Sequence, residues 1–289
     1  MYYAIIFASV ILYGISFKLK DIYNKVSGDD AGLKSTLRYT AVSSVAAFLV
    51  LFAANGFKMQ FTWFSFLIAL LCALNILAFS LCSFKALGII NLSLYSLYSM
   101  LGGMLLPFFQ GIFFYGEPIT LAKIICVVFI TAALLLTVKK DGSRGGEIYY
   151  LGIFVFNGMS GVLTKIFTDS PFPKTDEGSF SILTVLCGIA VSLIALCFFK
   201  KDPAAKPKKL LSLATLVASG EGIFYRVGDL FLVIALAHIE ASQQYPIVTG
   251  GVMIVSTIIC FFDGNKPTLK ELLSILLAFC GTLALFLIK

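Results

Sequence analysis

Charge is what this sequence has least of. Only 13% of its 289 residues are Asp, Glu, Lys or Arg, while 59% are hydrophobic, and the mean hydropathy is +0.97. A soluble globular chain is about half apolar and about a quarter charged, so lipid must be part of the solvent here. Histidine is almost absent. His238 is the only one, which excludes a zinc site of the H-E-x-x-H kind, and neither a P-loop nor an aspartate-rich prenyl-diphosphate motif occurs. The seven cysteines (Cys72, Cys82, Cys126, Cys187, Cys197, Cys260 and Cys280) lie in apolar runs without a C-x-x-C pair, which reads as packing between helices. No cofactor and no metal site is expected. The net charge of +7 sits in short connections between apolar runs, so the partner it implies is the lipid bilayer, not nucleic acid.

What is present is a series of long apolar runs. A spanning helix needs about 20 mostly apolar residues, and breaking the chain at its charge and Gly/Pro clusters predicts ten. They cover about 2–18, 33–54, 61–83, 88–114, 119–138, 147–167, 178–199, 210–236, 240–262 and 269–288. No basic n-region precedes "MYYAIIFASVILYGISF", so it reads as the first span and not as a signal peptide.

Ten spans invite a search for repetition. Laying residues 86–118 on 235–267 pairs Ala86-Leu87 with Ala235-Leu236, Ser93 with Ser242, Gly102 with Gly251, Met104 with Met253 and Pro118 with Pro267. A unit of five helices is odd in number, so its second copy must enter from the opposite face, which gives an inverted repeat. The expected architecture is an all-α membrane protein whose ten transmembrane helices form two inverted five-helix repeats, 1–140 and 141–289, around a central cavity.

Short motifs along both halves carry a family resemblance. "YGISF" (13–17), "LRY" (37–39) and "ALGIINLS" leading to "GEPIT" (116–120) resemble the drug/metabolite transporter superfamily in its ten-helix EamA-type branch. So do "ALAHIEAS" and "NKPTL" (265–269) in the second copy. One position departs: Lys266 stands where the second copy would match Glu117. The resemblance implies a cavity lined mainly by helices 1, 3, 4, 6, 8 and 9, with helices 5 and 10 away from it. It also implies termini in the cytoplasm. The charge pattern points the other way: connections after odd-numbered spans hold 16 Lys and Arg, against only Lys58, Lys123 and Lys174 on the other side. By the positive-inside rule both termini then lie outside a plasma membrane, and this internal count is followed here.

The polar residues inside the spans point to a site. Each intramembrane charge costs about 2.5–3.5 kcal/mol on insertion scales and needs a partner or a wet cavity. In "GEGIFYRVGDL" (220–230), Arg226 and Asp229 stand about 60° apart, one turn along, where they can pair. Glu221 lies about 140° from Arg226 and has no partner on its own helix; Lys165 is one cation that could answer it. Polar groups gather on the spans assigned to the cavity: Asn75, Tyr95, Tyr98, Asn157, Ser160, Thr164, Tyr225, then Gln243, Gln244 and Tyr245 before a kink at Pro246. Asp29-Asp30 reads as a turn. The tyrosines could wall an ammonium group, and an acid beside an arginine suits an amino-acid-like zwitterion.

The expected function is therefore secondary active transport of a small polar or cationic metabolite, amino-acid-like or an organic cation, by alternating access. Glu221 and Asp229 are the coupling candidates, with protons or another ion as the driving species. A lipid-linked phosphate flippase is the alternative, although it would want a cationic pocket and the charges of the eighth span sum to −1. An intramembrane enzyme is less well supported: "RVGD" (226–229) approaches the G-x-G-D of intramembrane aspartyl proteases, but Arg226 replaces the first glycine. No second aspartate lies deep in another span. A purely structural membrane protein would not need a polar centre, and a homo-oligomer is left open.

Overall fold

The computed structural model describes residues 2–27, 32–116, 120–137, 147–198, 212–236, 241–263 and 267–287. Among them are ten helices and no strand: α1 (Tyr2–Val26), α2 (Leu33–Ala54), α3 (Trp63–Leu87), α4 (Leu92–Tyr115), α5 (Leu121–Thr137), α6 (Glu147–Asp169), α7 (Glu177–Cys197), α8 (Leu213–Leu236), α9 (Ala241–Phe262) and α10 (Leu269–Leu287). Helix starts follow short polar side chains. Thr62, Asn91 and Asp176 each accept the backbone N–H three residues on, which satisfies a donor that the first turn leaves unpaired. α4 ends where Gly116 takes a left-handed conformation with φ 65°.

Among the described residues, six helices (α1, α2, α3, α4, α6 and α7) are long and apolar enough over their described stretches to cross a membrane. α8 is long enough but carries Glu221, Arg226 and Asp229 along its middle. Burial of those three needs protein around the helix. The neighbours are α1 and α2, which pack on α8; α1 also meets α9. α6 packs on α3 and α4, α7 on α2 and α3, and α4 on α9. α5 and α10 lie against each other, joined to the bundle mainly through α9.

The first helix is longer than its hydropathy predicts. It runs to Val26 instead of stopping near residue 18, because the charges that read as a loop have partners. Asp21 accepts from Lys25 at 2.7 Å, Lys18 pairs with Asp263 at the end of α9, and Lys20 is 3% exposed.

Close crossings rest on glycine. A Cβ on Gly102 of α4 would run into the Phe154 backbone of α6, and one on Gly222 of α8 into the Ser43 backbone of α2. Hydrogen in place of a side chain lets these backbones meet, as in other membrane helix pairs.

Candidate functional site

α8 presents its three charged residues to two adjoining spaces. The larger is a cavity of about 180 Å³, lined from α8 by Tyr225, Arg226, Asp229 and Leu232 and from α6 by Asn157, Ser160, Gly161 and Thr164. Tyr13, Cys72, Ile76, Met100, Gly103, Phe180, Ser181, Thr184, Val248 and Thr249 complete it from α1, α3, α4, α7 and α9. Following the alternating helix directions, it occupies the half of the bundle nearest the face that carries residues 55–62 and 170–176. The smaller is a chamber of about 30 Å³, deeper toward the opposite face, where Lys20, Tyr39, Ser43, Ser44, Phe79, Ser80 and Glu221 meet. Ile76, Tyr225 and Arg226 border both. Beyond the chamber the rings of Tyr23, Tyr39 and Phe84 pack together, with centroids 4.7–5.5 Å apart.

Charges in the two spaces are arranged as crossed pairs. Arg226 Nη1 donates to Asp229 Oδ2 at 3.2 Å, the one-turn pairing that their spacing predicts. The Tyr13 hydroxyl donates to Asp229 Oδ1, and the Tyr13 ring meets Tyr225 edge-on at 5.3 Å. Ser9 Oγ donates to the Gly228 carbonyl at 3.1 Å, holding α1 against this part of α8. In the chamber, Lys20 Nζ lies 3.6 Å from Glu221 Oε1, and Glu221 is 4% exposed.

Lys20 corrects the sequence reading at two points. The partner of Glu221 comes from α1, and it is not Lys165, which sits toward the other face on α6. The charges of α8 sum to −1 as read, but Lys20 from α1 brings the site to two cations against two carboxylates. Hydropathy placed Lys20 in a connection. The available signal was its spacing: Tyr13 and Lys20 are seven residues apart, two helical turns, and so share one face.

The other candidates divide. Tyr225, Arg226, Asp229 and Asn157 line the larger cavity, and Asn157 also donates to the Ser99 carbonyl at 2.6 Å. Asn75 instead ties α3 to α6, donating to the Phe156 carbonyl at 2.7 Å and to Ser160 Oγ at 2.8 Å. Tyr95 is fully buried between Phe17 and Phe79, its hydroxyl 3.1 Å from Ser83 Oγ. Tyr98 stacks on Tyr150. Tyr95 and Asn75 are thus core and cross-brace and line neither space. α2 and α7 contribute to the lining, which the resemblance had assigned mainly to helices 1, 3, 4, 6, 8 and 9; among the described residues α5 and α10 contribute nothing to either space. The side chains of Gln243, Gln244, Tyr245 and Pro246, together with His238, Asp29, Asp30, Glu117 and Lys266, lie outside the described residues.

A long helical bundle with charges enclosed in its middle defines a multi-pass integral membrane protein. Residues 144–287 match the EamA-like transporter family model, part of the drug/metabolite transporter superfamily. Through this second half the chain belongs with the EamA-like membrane transporters. A solved crystal structure of another protein has a similar fold, with a TM-score of 0.60 and 14% identity over 96% of this chain and 97% of that one. No curated protein matches the sequence.

Proposed function

We propose that the protein is a secondary active transporter of a small zwitterionic metabolite of amino-acid size, working by alternating access of two inverted five-helix halves, 1–140 and 141–289. The observation that carries the substrate class is the Arg226–Asp229 pair facing the larger cavity, one cation and one carboxylate that sum to zero. A carboxylate finds Arg226 and an ammonium finds Asp229 and the faces of Tyr13 and Tyr225. A phosphate headgroup would meet the two carboxylates, and a bare organic cation would leave Arg226 unanswered. Size points the same way, because about 180 Å³ falls below the roughly 300–1,000 Å³ of sites for drug-sized ligands.

Packing supports the inverted halves. Exchanging α1–α5 with α6–α10 turns the pair α1/α8 into α6/α3, α1/α9 into α6/α4, and α2/α8 into α7/α3, while α2/α7, α4/α9 and α5/α10 map onto themselves. The relation holds residue by residue at the glycine crossings. Gly102 backs onto Phe154 and Gly251 onto Val10, while Gly158 backs onto Leu106 and Gly14 onto Val255. In the repeat alignment Gly102 and Leu106 correspond to Gly251 and Val255. One constant shift relates Val10 and Gly14 to Phe154 and Gly158.

The face rich in Lys and Arg belongs in the cytoplasm of a plasma membrane, and the imbalance survives removal of the buried Lys20 from the count. Both termini are then outside and the larger cavity lies in the outer half. A C-terminal alkaline phosphatase fusion is expected to be active and a C-terminal GFP fusion dark; the reverse pattern would refute this topology.

Substrate class is tested by counterflow in proteoliposomes. Vesicles loaded with unlabelled L-threonine are expected to take up labelled L-threonine or L-alanine against an external trace, and to ignore labelled choline. Uptake of choline without either amino acid would replace the zwitterion by a cation.

A further inference from the structure

Lys20 occupies a position built for a cation. Its Nζ lies 3.6 Å from Glu221 Oε1, 4.8 Å from the Phe79 ring centre, 5.7 Å from that of Tyr39 and 5.9 Å from that of Tyr225. Ser43, Ser44, Thr40 and Ser80 line the same chamber, together with the buried Tyr39. A carboxylate, aromatic faces and hydroxyl oxygens together hold an ammonium or a small metal cation. Here the chain supplies the ammonium itself, on a tether. The space left is about 30 Å³, enough for about two waters at roughly 10–15 Å³ each. The Lys20 ammonium already balances Glu221, so a second cation there would be a buried charge without a partner.

We propose that this chamber is a coupling-cation site permanently filled by Lys20, so that the one ion it can exchange is a proton. The inference rests on the transport reading above and names the coupling ion of that same site. The step is balanced simply: a proton entering from one face bonds to a Glu221 carboxylate oxygen and gives the neutral acid. That O–H bond breaks again when the proton leaves to the other face. Lys20 stays an ammonium throughout. It lacks its carboxylate partner only while Glu221 is protonated, and the three ring faces hold it during that interval.

The charged and titratable groups around Glu221 are Lys20 of α1, Tyr39 of α2, Tyr95 of α4, and Tyr225, Arg226 and Asp229 of α8 itself. Among the described residues α3 offers only Ile76, Phe79 and Ser80 to the chamber, and α7 and α9 offer nothing to it. Tyr225 and Arg226, which border both spaces, separate proton from substrate.

The test uses full-length protein in proteoliposomes with labelled L-threonine as probe, under an imposed pH, sodium or potassium gradient. Wild type is expected to accumulate the probe under the pH gradient alone. Lys20→Met/Glu221→Gln, which leaves no unpaired charge, is expected to keep counterflow comparable to wild type and lose accumulation driven by the pH gradient. Accumulation by wild type under a sodium or potassium gradient overturns the proposal, and that arm needs no variant to fold. So does a double variant that still responds to the pH gradient, or one that is monodisperse yet has lost counterflow, since the chamber would then belong to the substrate path. Wild type without any counterflow would bring down the transport reading itself, and this inference with it.

Discussion

Glu221→Gln is expected to abolish uphill accumulation of L-threonine under a pH gradient and to lower the temperature of unfolding. Both effects follow from the same contact. Glutamine cannot take up a proton, so the coupling step is lost whatever the substrate does. It also leaves Lys20, 3% exposed, without its counter-charge, and removing one partner of a buried ion pair costs about 3–5 kcal/mol. The faces of Phe79, Tyr39 and Tyr225 offset part of that, at about 0.5–2 kcal/mol for each cation–π contact, so the variant should still fold. Adding Lys20→Met should restore thermal stability without restoring accumulation. Two scans and one uptake assay decide the matter: normal uphill accumulation by the single variant would move the coupling proton elsewhere.

Asp229→Asn should act on the substrate side. Helix spacing alone marks Asp229 as the structural acid, paired with Arg226, and Glu221 as the free one. The structure reverses their burial. The Asp229 side chain is 29% exposed at the edge of the larger cavity, against 6% for that of Glu221 in its chamber. Water in the cavity can solvate Arg226 when the carboxylate is gone, so folding is retained. What is lost is a charge-assisted contact for the ammonium, each such hydrogen bond contributing about 1.5–3 kcal/mol. The apparent affinity for L-threonine in counterflow should therefore fall by about 10- to 100-fold, with a normal elution profile. A variant that aggregates on extraction from the membrane would return Asp229 to a structural role.

The ten apolar runs and their breakers were legible in one dimension. Lipid imposes length and apolarity on each spanning segment separately, so the number and order of helices follow from local composition. Pairing within a helix was legible for the same reason: one turn fixes the geometry of Arg226 and Asp229 before any neighbour is placed. Gly102 and Gly251 were legible only as matching positions of the repeat; that one meets the Phe154 backbone and the other the Val10 side chain came from the structure.

Contacts between helices were decided by the tertiary structure. Nothing local says that Lys20, seven residues beyond Tyr13, stays inside the bundle. It is kept there by a carboxylate that is about 200 residues away in the chain and by rings from α2, α3 and α8. A hydropathy window counts Lys20 as loop, since it weighs each charge as if alone in lipid, whereas a paired charge enclosed by protein is not in lipid. The same reason separates Tyr95 and Asn75 from the cavity. Both are polar residues in apolar helices, yet their partners Ser83, Ser160 and the Phe156 carbonyl turn them into packing. Sequence by itself determined which segments form the helices and which residues are polar within them. Only the packing of α1 and α2 on α8, with α3 closing the chamber, decided which of those residues face each other, because that depends on helix rotation and depth, which no single segment encodes.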